Sequence, residues 1–220
     1  MSYFFESDLN VLKSHIADIN ASSAQELVQV LGLEAIPNSL ENLEATFSHE
    51  QYPQYGYLRL WVLGEFARLK VDWACNLKGL RGNYELTEIP ENIGHLTALQ
   101  ELNLNGNSLT GLPETIGELR NLLNLWLGNN YLETLPESIG KLENLERLSL
   151  YYNHLETLPE SFGNLKNLIR LNLNEVNDEN PITLPESFSQ LSNLRVLEIA
   201  GNLDAVTPSI REGLKDCNIG

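Results

Sequence analysis

From Leu99 onward the apolar positions recur at a fixed interval. Leu99, Leu102, Leu104 and Leu109 in LQELNLNGNSL are followed by Leu122, Leu125, Leu127 and Leu132 in LLNLWLGNNYL, then by Leu145, Leu148, Leu150 and Leu155 in LERLSLYYNHL. The starts lie 23 residues apart; Leu168 follows by the same step and Leu194 by 26. Alternation of leucine and polar residues inside each unit predicts a short strand with its leucines on one side. One strand per unit at this period predicts a solenoid, because no single unit can bury its apolar face alone. Stacked at the ~4.8 Å spacing of paired strands, the units build a parallel sheet on the inner, concave face of an arc. Leu109, Leu112, Ile116 and Leu119 fill the remaining sides of the core, and their equivalents do so in each later coil. The expected fold is α/β: a solenoid of about six coils over residues 77–203, the first (77–98) degenerate.

The polar positions recur too. Asn107, Asn130, Asn153 and Asn202 share one place, where an inward amide can bond the backbone of the adjacent coil. Pro113-Glu114, Pro136-Glu137, Pro159-Glu160 and Pro185-Glu186 open the outer segment, as proline and an acid suit the first turn of a helix. Gly117, Gly140 and Gly163 follow, for a tight exit or close packing of coils. The fifth coil breaks the rule: Val176 replaces the asparagine, and the stretch from Glu175 to Pro181 carries three extra residues. This insertion reads either as a contact loop or as a tolerated bulge.

Both ends of an array need covering. Residues 1–76 read as a helical N-terminal cap and 204–220 as a C-terminal cap. Phe5, Leu9, Leu12, Ile16 and Ile19 fall on one helical face. Ser23-Ala-Gln-Glu26 reads as a capping box for a helix ended by Gly32. Leu33–Leu43 copies half a repeat and reads as a proline-started helix, with a decayed coil as the other reading. His49–Tyr57 reads as a turn-rich connector whose tyrosines pack partly on the core, with a ligand-contacting loop as the other reading. A strongly apolar helix is expected near Leu58–Val71, with Leu60, Leu63, Ala67 and Val71 on one face. Ile210 and Leu214, on a short helix over Pro208–Lys215, would cover the last coil.

Charge narrows the partners. With 30 acids against 14 bases the net charge is −16, which disfavours nucleic acid. Apolar runs are too short to span a bilayer, so no membrane role is expected. The first residues lack the basic-then-apolar order of a secretory leader. Two isolated cysteines, Cys75 and Cys217, point to a reducing, cytoplasmic setting. The chain contains no GxSxG, GxxxxGK[ST], HExxH or CxxC, and its four histidines are scattered. Catalytic residues, cofactors and metals are therefore not expected.

The non-leucine strand positions stack into columns across coils. Asn103, Trp126, Ser149, Asn172 and Glu198 form one; Asn105, Gly128, Tyr151, Asn174 and Ala200 the next; Gly106, Asn129, Tyr152, Glu175 and Gly201 a third. On the other flank lie Glu101, Asn124, Arg147, Arg170 and Val196. Trp126, Tyr131, Tyr151, Tyr152 and His154 thus gather on the third and fourth coils, bordered by Arg147 and Arg170, with Asn124 and Asn172 beside them. Trp, Tyr and Arg carry much of the energy of protein interfaces. These nine residues are the candidate partner-binding set; mutual shielding of the rings is the bland alternative.

The unit LPESIGKLENLERLSLYYNHLETLPES resembles intracellular leucine-rich repeat proteins of the Ras-binding group, their plant relatives and 23-residue-repeat proteins of bacteria. The resemblance covers residues 77–203 and implies a non-enzymatic scaffold or recognition module with a protein or peptide partner. The shared leucines and asparagines carry no partner identity. Two other functions fit the chain: a homo-oligomer joined through its apolar helical end or an incompletely covered edge, and an acidic inhibitor of a basic partner such as a toxin. An enzyme sited in residues 1–76 has only the unexplained character of that segment in its favour.

Overall fold

Seven short strands run parallel in chain order: β1 (Gly79–Arg81), β2 (Glu101–Asn103), β3 (Asn124–Trp126), β4 (Arg147–Ser149), β5 (Arg170–Asn172), β6 (Val196–Glu198) and β7 (Asn218–Ile219). They come from a computed structural model that describes residues 10, 13–14, 17–31, 33, 35–46, 55–82, 85–176 and 182–220. The register is Leu80, Leu102, Leu125, Leu148, Leu171 and Leu197, each opposite the next. These leucines are buried, so each of β1–β6 turns its central leucine inward and its flanking positions to the other face. Each such side chain contributes roughly 1.5–3 kcal/mol through burial. The degenerate first coil is present as β1. The seventh strand was not expected. It has two residues, and no leucine alternation announces it; only Ile219, opposite Leu197, continues the apolar row.

The outer wall consists of single 310 turns: Glu91–His95, Glu114–Glu118, Glu137–Lys141, Glu160–Asn164 and Glu186–Gln190. So few residues per coil leave no room for an α-helix, and such short runs favour 310 geometry. The prolines stand one place earlier than the first-turn reading had them. Pro113 is extended (φ −70°, ψ 151°) and precedes the turn that Glu114 begins. Gly117 serves coil packing and not a chain reversal. A Cβ there would lie 2.5 Å from the carbonyl oxygen of Ser138 in the next coil.

Two asparagine ladders bind coil to coil. In the buried one, Asn107, Asn130 and Asn153 accept from the backbone N–H of Leu86, Leu109 and Leu132 at 3.0, 3.1 and 2.9 Å. Asn202 accepts from Ile182 N–H at 2.9 Å. Val176 occupies the missing rung and is fully buried. The second ladder was not foreseen. The exposed amides of Asn121, Asn144, Asn167 and Asn193 donate to Thr97, Arg120, Glu143 and Lys166 carbonyls at 2.8–2.9 Å. Its signal was the same 23-residue recurrence, one position ahead of each leucine that opens a unit. The insertion 177–181 lies outside the described residues. The chain rejoins coil four where Thr183 N–H donates to Glu156 O at 2.8 Å.

At the N-terminal end lie α1 (Ala24–Leu31), α2 (Leu40–Thr46), α3 (Tyr55–Arg68) and α4 (Asp72–Cys75). Most of the helical face from Phe5 to Ile16, and Gly32, fall outside the described residues. The capping box is half formed. Ser23 Oγ accepts from Glu26 N–H, but the Glu26 carboxylate accepts from Ser22, through its N–H and its hydroxyl. These bonds favour the charged form and hold Glu26 below the usual carboxylate range. Helix α2 is started by Ser39, whose Oγ accepts from Asn42 N–H, and not by Pro37. No described residue near it joins the sheet. Tyr55–Tyr57, read as connector, belong to α3.

Helix α3 is buried nearly all round and not on one face alone, because the first coil covers another side. A Cβ on Gly64 would fall 2.4 Å from Asn92 O, and the Asn92 amide donates to Trp61 O at 2.8 Å. Burial, with Glu88 and Glu91 nearby, pushes the Tyr57 phenol up to about 12. At the other end α5 (Pro208–Gly213) is capped by Thr207, whose Oγ1 accepts from Ile210 N–H. Ile210 and Leu214 are buried as expected. Helices and coils share one continuous apolar core.

Candidate binding face

The exposed side of the sheet is the concave face. Register places Trp126 between Asn103 and Ser149, and Arg147 between Asn124 and Arg170. The flanking coils are amide-lined. Asn103 and Asn172 accept from the N–H groups of Asn105 and Asn174. Asn105 and Asn174 in turn accept from the next coil, at Gly128 and Ala200 N–H, both at 2.7 Å. Coils three and four replace this lining with Trp126, Gly128, Ser149 and Tyr151.

The missing side chain at Gly128 makes room for a ring. A Cβ there would lie 2.1 Å from Cε1 of Tyr151 and 2.4 Å from Cδ1, so the phenol rests directly on the glycine backbone. Gly128→Ala is expected to displace that ring at a cost of about 1 kcal/mol or less, because a half-buried ring can swing toward solvent where a core side chain could not. Near-UV circular dichroism and urea unfolding check both; an unchanged tyrosine signal would contradict the packing.

The five aromatic candidates do not form one cluster. Tyr151 and Tyr152 meet edge to face, centroids 5.7 Å apart at 74°. Tyr131 and His154 stack at 5.7 Å and 24°. Trp126, half-buried, makes no ring contact among the described residues. Tyr131 and Tyr152 are 53% and 55% exposed, far more than their apolar bodies favour. Tyr152 also holds a left-handed backbone, φ 49°, which is strained for a bulky residue.

The two arginines differ. Arg170 bonds Glu198 at 3.1 Å, and the Asn172 amide donates to the same carboxylate at 2.6 Å. Arg147 donates to the neutral Asn124 at 3.1 Å and only approaches Glu146, at 3.9 Å. Asn124 is 8% exposed, so it positions Arg147 more than it offers contact. Along the strands, three arginines (Arg81, Arg147, Arg170) stand against two glutamates (Glu101, Glu198) on this face. The acid excess of the chain therefore lies elsewhere. Beside the sheet, a groove of about 470 Å³ is lined by Leu123, Glu146, Ile169 and Arg195 with Asn144, Asn167 and Asn193. Among the described residues no group of His, Cys, Asp and Glu could hold a metal ion, and no helix is long and apolar enough to cross a membrane.

The family model for the leucine-rich repeat region matches residues 50–202, and the chain belongs to the leucine-rich repeat proteins. Folds of this family typically serve as protein-binding scaffolds. A leucine-rich repeat protein of Leptospira interrogans is 37% identical, with a TM-score of 0.58, over 71% of this chain and 38% of its own. An internalin of Listeria monocytogenes shares the fold at 21% identity and a TM-score of 0.53, over 71% of this chain and 43% of its own. The ectodomain of the Arabidopsis thaliana receptor kinase GASSHO1/SCHENGEN3 is 30% identical, with a TM-score of 0.51, over 63% of this chain and 16% of its own. The chain thus spans about two fifths of the two bacterial proteins. No curated protein sequence matches it significantly.

Proposed function

We propose that the chain is a non-enzymatic recognition module that holds a protein or peptide on its concave face. The observation that carries this reading is the group of solvent-facing aromatics on coils three and four. Trp126 and Tyr151 would be the anchors, with Tyr131, Tyr152 and His154 beside them. Arg147, held but not neutralised by Asn124, would meet a partner carboxylate; Arg170 would do so by exchanging away from Glu198. A face of Trp, Tyr, Asn, Ser and Gly is also the composition of evolved paratopes. Two structural neighbours were solved with partners: the GASSHO1/SCHENGEN3 ectodomain with CASPARIAN STRIP INTEGRITY FACTOR 2, and Toll with Spatzle. The net charge of −16 argues against nucleic acid, and the free thiols of Cys75 and Cys217 suit a reducing, cytoplasmic setting.

The test is to pan the full chain against a displayed library of random twelve-residue peptides. Enriched peptides that compete with one another and protect Tyr151 and Tyr152 from nitration support the reading. Enrichment only of peptides that leave both tyrosines reactive counts against it.

A further inference from the structure

Gly106, Asn129, Tyr152, Glu175 and Gly201 occupy one place in successive coils, and all five are left-handed, with φ of 68°, 56°, 49°, 53° and 84°. Glycine and asparagine adopt this backbone with little strain. Tyrosine and glutamate do not, and they are the two that stand side by side. The chain thus departs from its own repeat at two adjacent rungs. Strain of this kind persists where a side chain is needed for more than folding.

The two side chains have complementary chemistry. Tyr152 N–H donates to Asn174 O at 3.0 Å and Glu175 N–H donates to Ala200 O at 3.4 Å, so the two backbones are held in consecutive coils, about 4.8 Å apart. Equal φ in stacked coils starts the two Cα–Cβ bonds in the same direction. Tyr151, lying over Gly128 of coil three, supports the Tyr152 ring edge to face. Glu175 is exposed, and its carboxylate takes no partner among the described residues. A cation gains from both neighbours, from the Tyr152 ring face through its quadrupole and from the carboxylate by charge. An anion would be repelled, and a purely apolar group would leave the carboxylate unused.

We propose that Tyr152 and Glu175, with Tyr151 buttressing the Tyr152 ring from the side of coil three, form a subsite for a basic side chain, arginine or lysine, of the bound protein or peptide. The identity of that partner rests on the concave-face reading; the chemistry of the subsite does not.

The subsite can be probed directly by titrating the 15N-labelled full chain with acetyl-Gly-Arg-Gly-amide and with its citrulline counterpart, which is isosteric and neutral. Saturable shifts are expected at the Tyr152 and Glu175 amides, with the citrulline peptide about fivefold weaker or more. Glu175→Asn supplies the folding control. It relieves the left-handed glutamate, so its unfolding midpoint rises, while its affinity for the arginine peptide falls to that of the citrulline peptide. Equal binding of the two peptides, shifts confined to other residues, or unchanged arginine binding by Glu175→Asn would overturn the subsite. A peptide selected from the displayed library that is weakened by loss of Trp126 and Tyr151 but indifferent to Glu175→Asn would uphold the face and overturn the subsite.

Discussion

Alanine at both Trp126 and Tyr151 should weaken a concave-face complex by about 4 kcal/mol, close to a thousandfold in Kd. Each is a large aromatic of the kind that carries about 2 kcal/mol or more when central to an interface. Their own folding role is smaller. Trp126 and Tyr151 are both only half-buried. Calorimetric titration of a selected peptide, with thermal unfolding run in parallel, separates the two effects. The expected result is a large affinity loss with a midpoint shift of a few degrees at most. Arg170→Ala should do less, because Glu198 already engages that guanidinium. Unchanged affinity of the double variant refutes the anchors and leaves the solenoid untouched.

Asn130→Ala should be among the most damaging single changes to stability. The amide accepts from Leu109 N–H at 3.1 Å and donates to the carbonyls of Leu104 and Leu127, both at 3.0 Å. Removal strands a buried donor and two acceptors that water does not reach. At about 1–3 kcal/mol for each unsatisfied group, partly relaxed, the loss is about 3–5 kcal/mol. A loss of that size lowers the midpoint by roughly 10 °C for a chain of this length. Asn144→Ala, in the exposed ladder, should cost less than about 1 kcal/mol, since water replaces its bond to Arg120 O. Urea unfolding of the two variants side by side tests the contrast. Equal losses would show that burial does not set the difference.

Periodic features were legible in the sequence, and singular ones were not. The columns on the sheet and the buried asparagine ladder follow from counting 23 residues, because hydrogen-bonded coils carry each position onto its equivalent. Trp126 and Ser149 are neighbours for that reason alone. What failed was local and three-dimensional. Nothing near Asn218 spells a strand, since β7 forms only because β6 offers an unpaired edge. The half-made capping box turned on Ser22, one residue outside the motif. Side-chain direction was out of reach too. Five aromatics on neighbouring coils resolved into two ring pairs and a lone indole, because Gly128 draws Tyr151 one way while Tyr131 turns to His154. The left-handed column was likewise hidden, although Gly106, Asn129 and Gly201 were in view, because Tyr152 and Glu175 mask the preference.

Because each coil leans only on the one before and after it, the molecule behaves like a stack of interchangeable plates. Excising Leu122–Asn144 would bring Leu145 against the second coil with leucine still facing leucine and Asn153 still beneath Leu109. The shortened protein should stand, yet it would have lost Trp126, Gly128 and Tyr131 in one cut. Length in such an array is free to drift by whole plates, whereas the chemistry on its inner surface is written plate by plate.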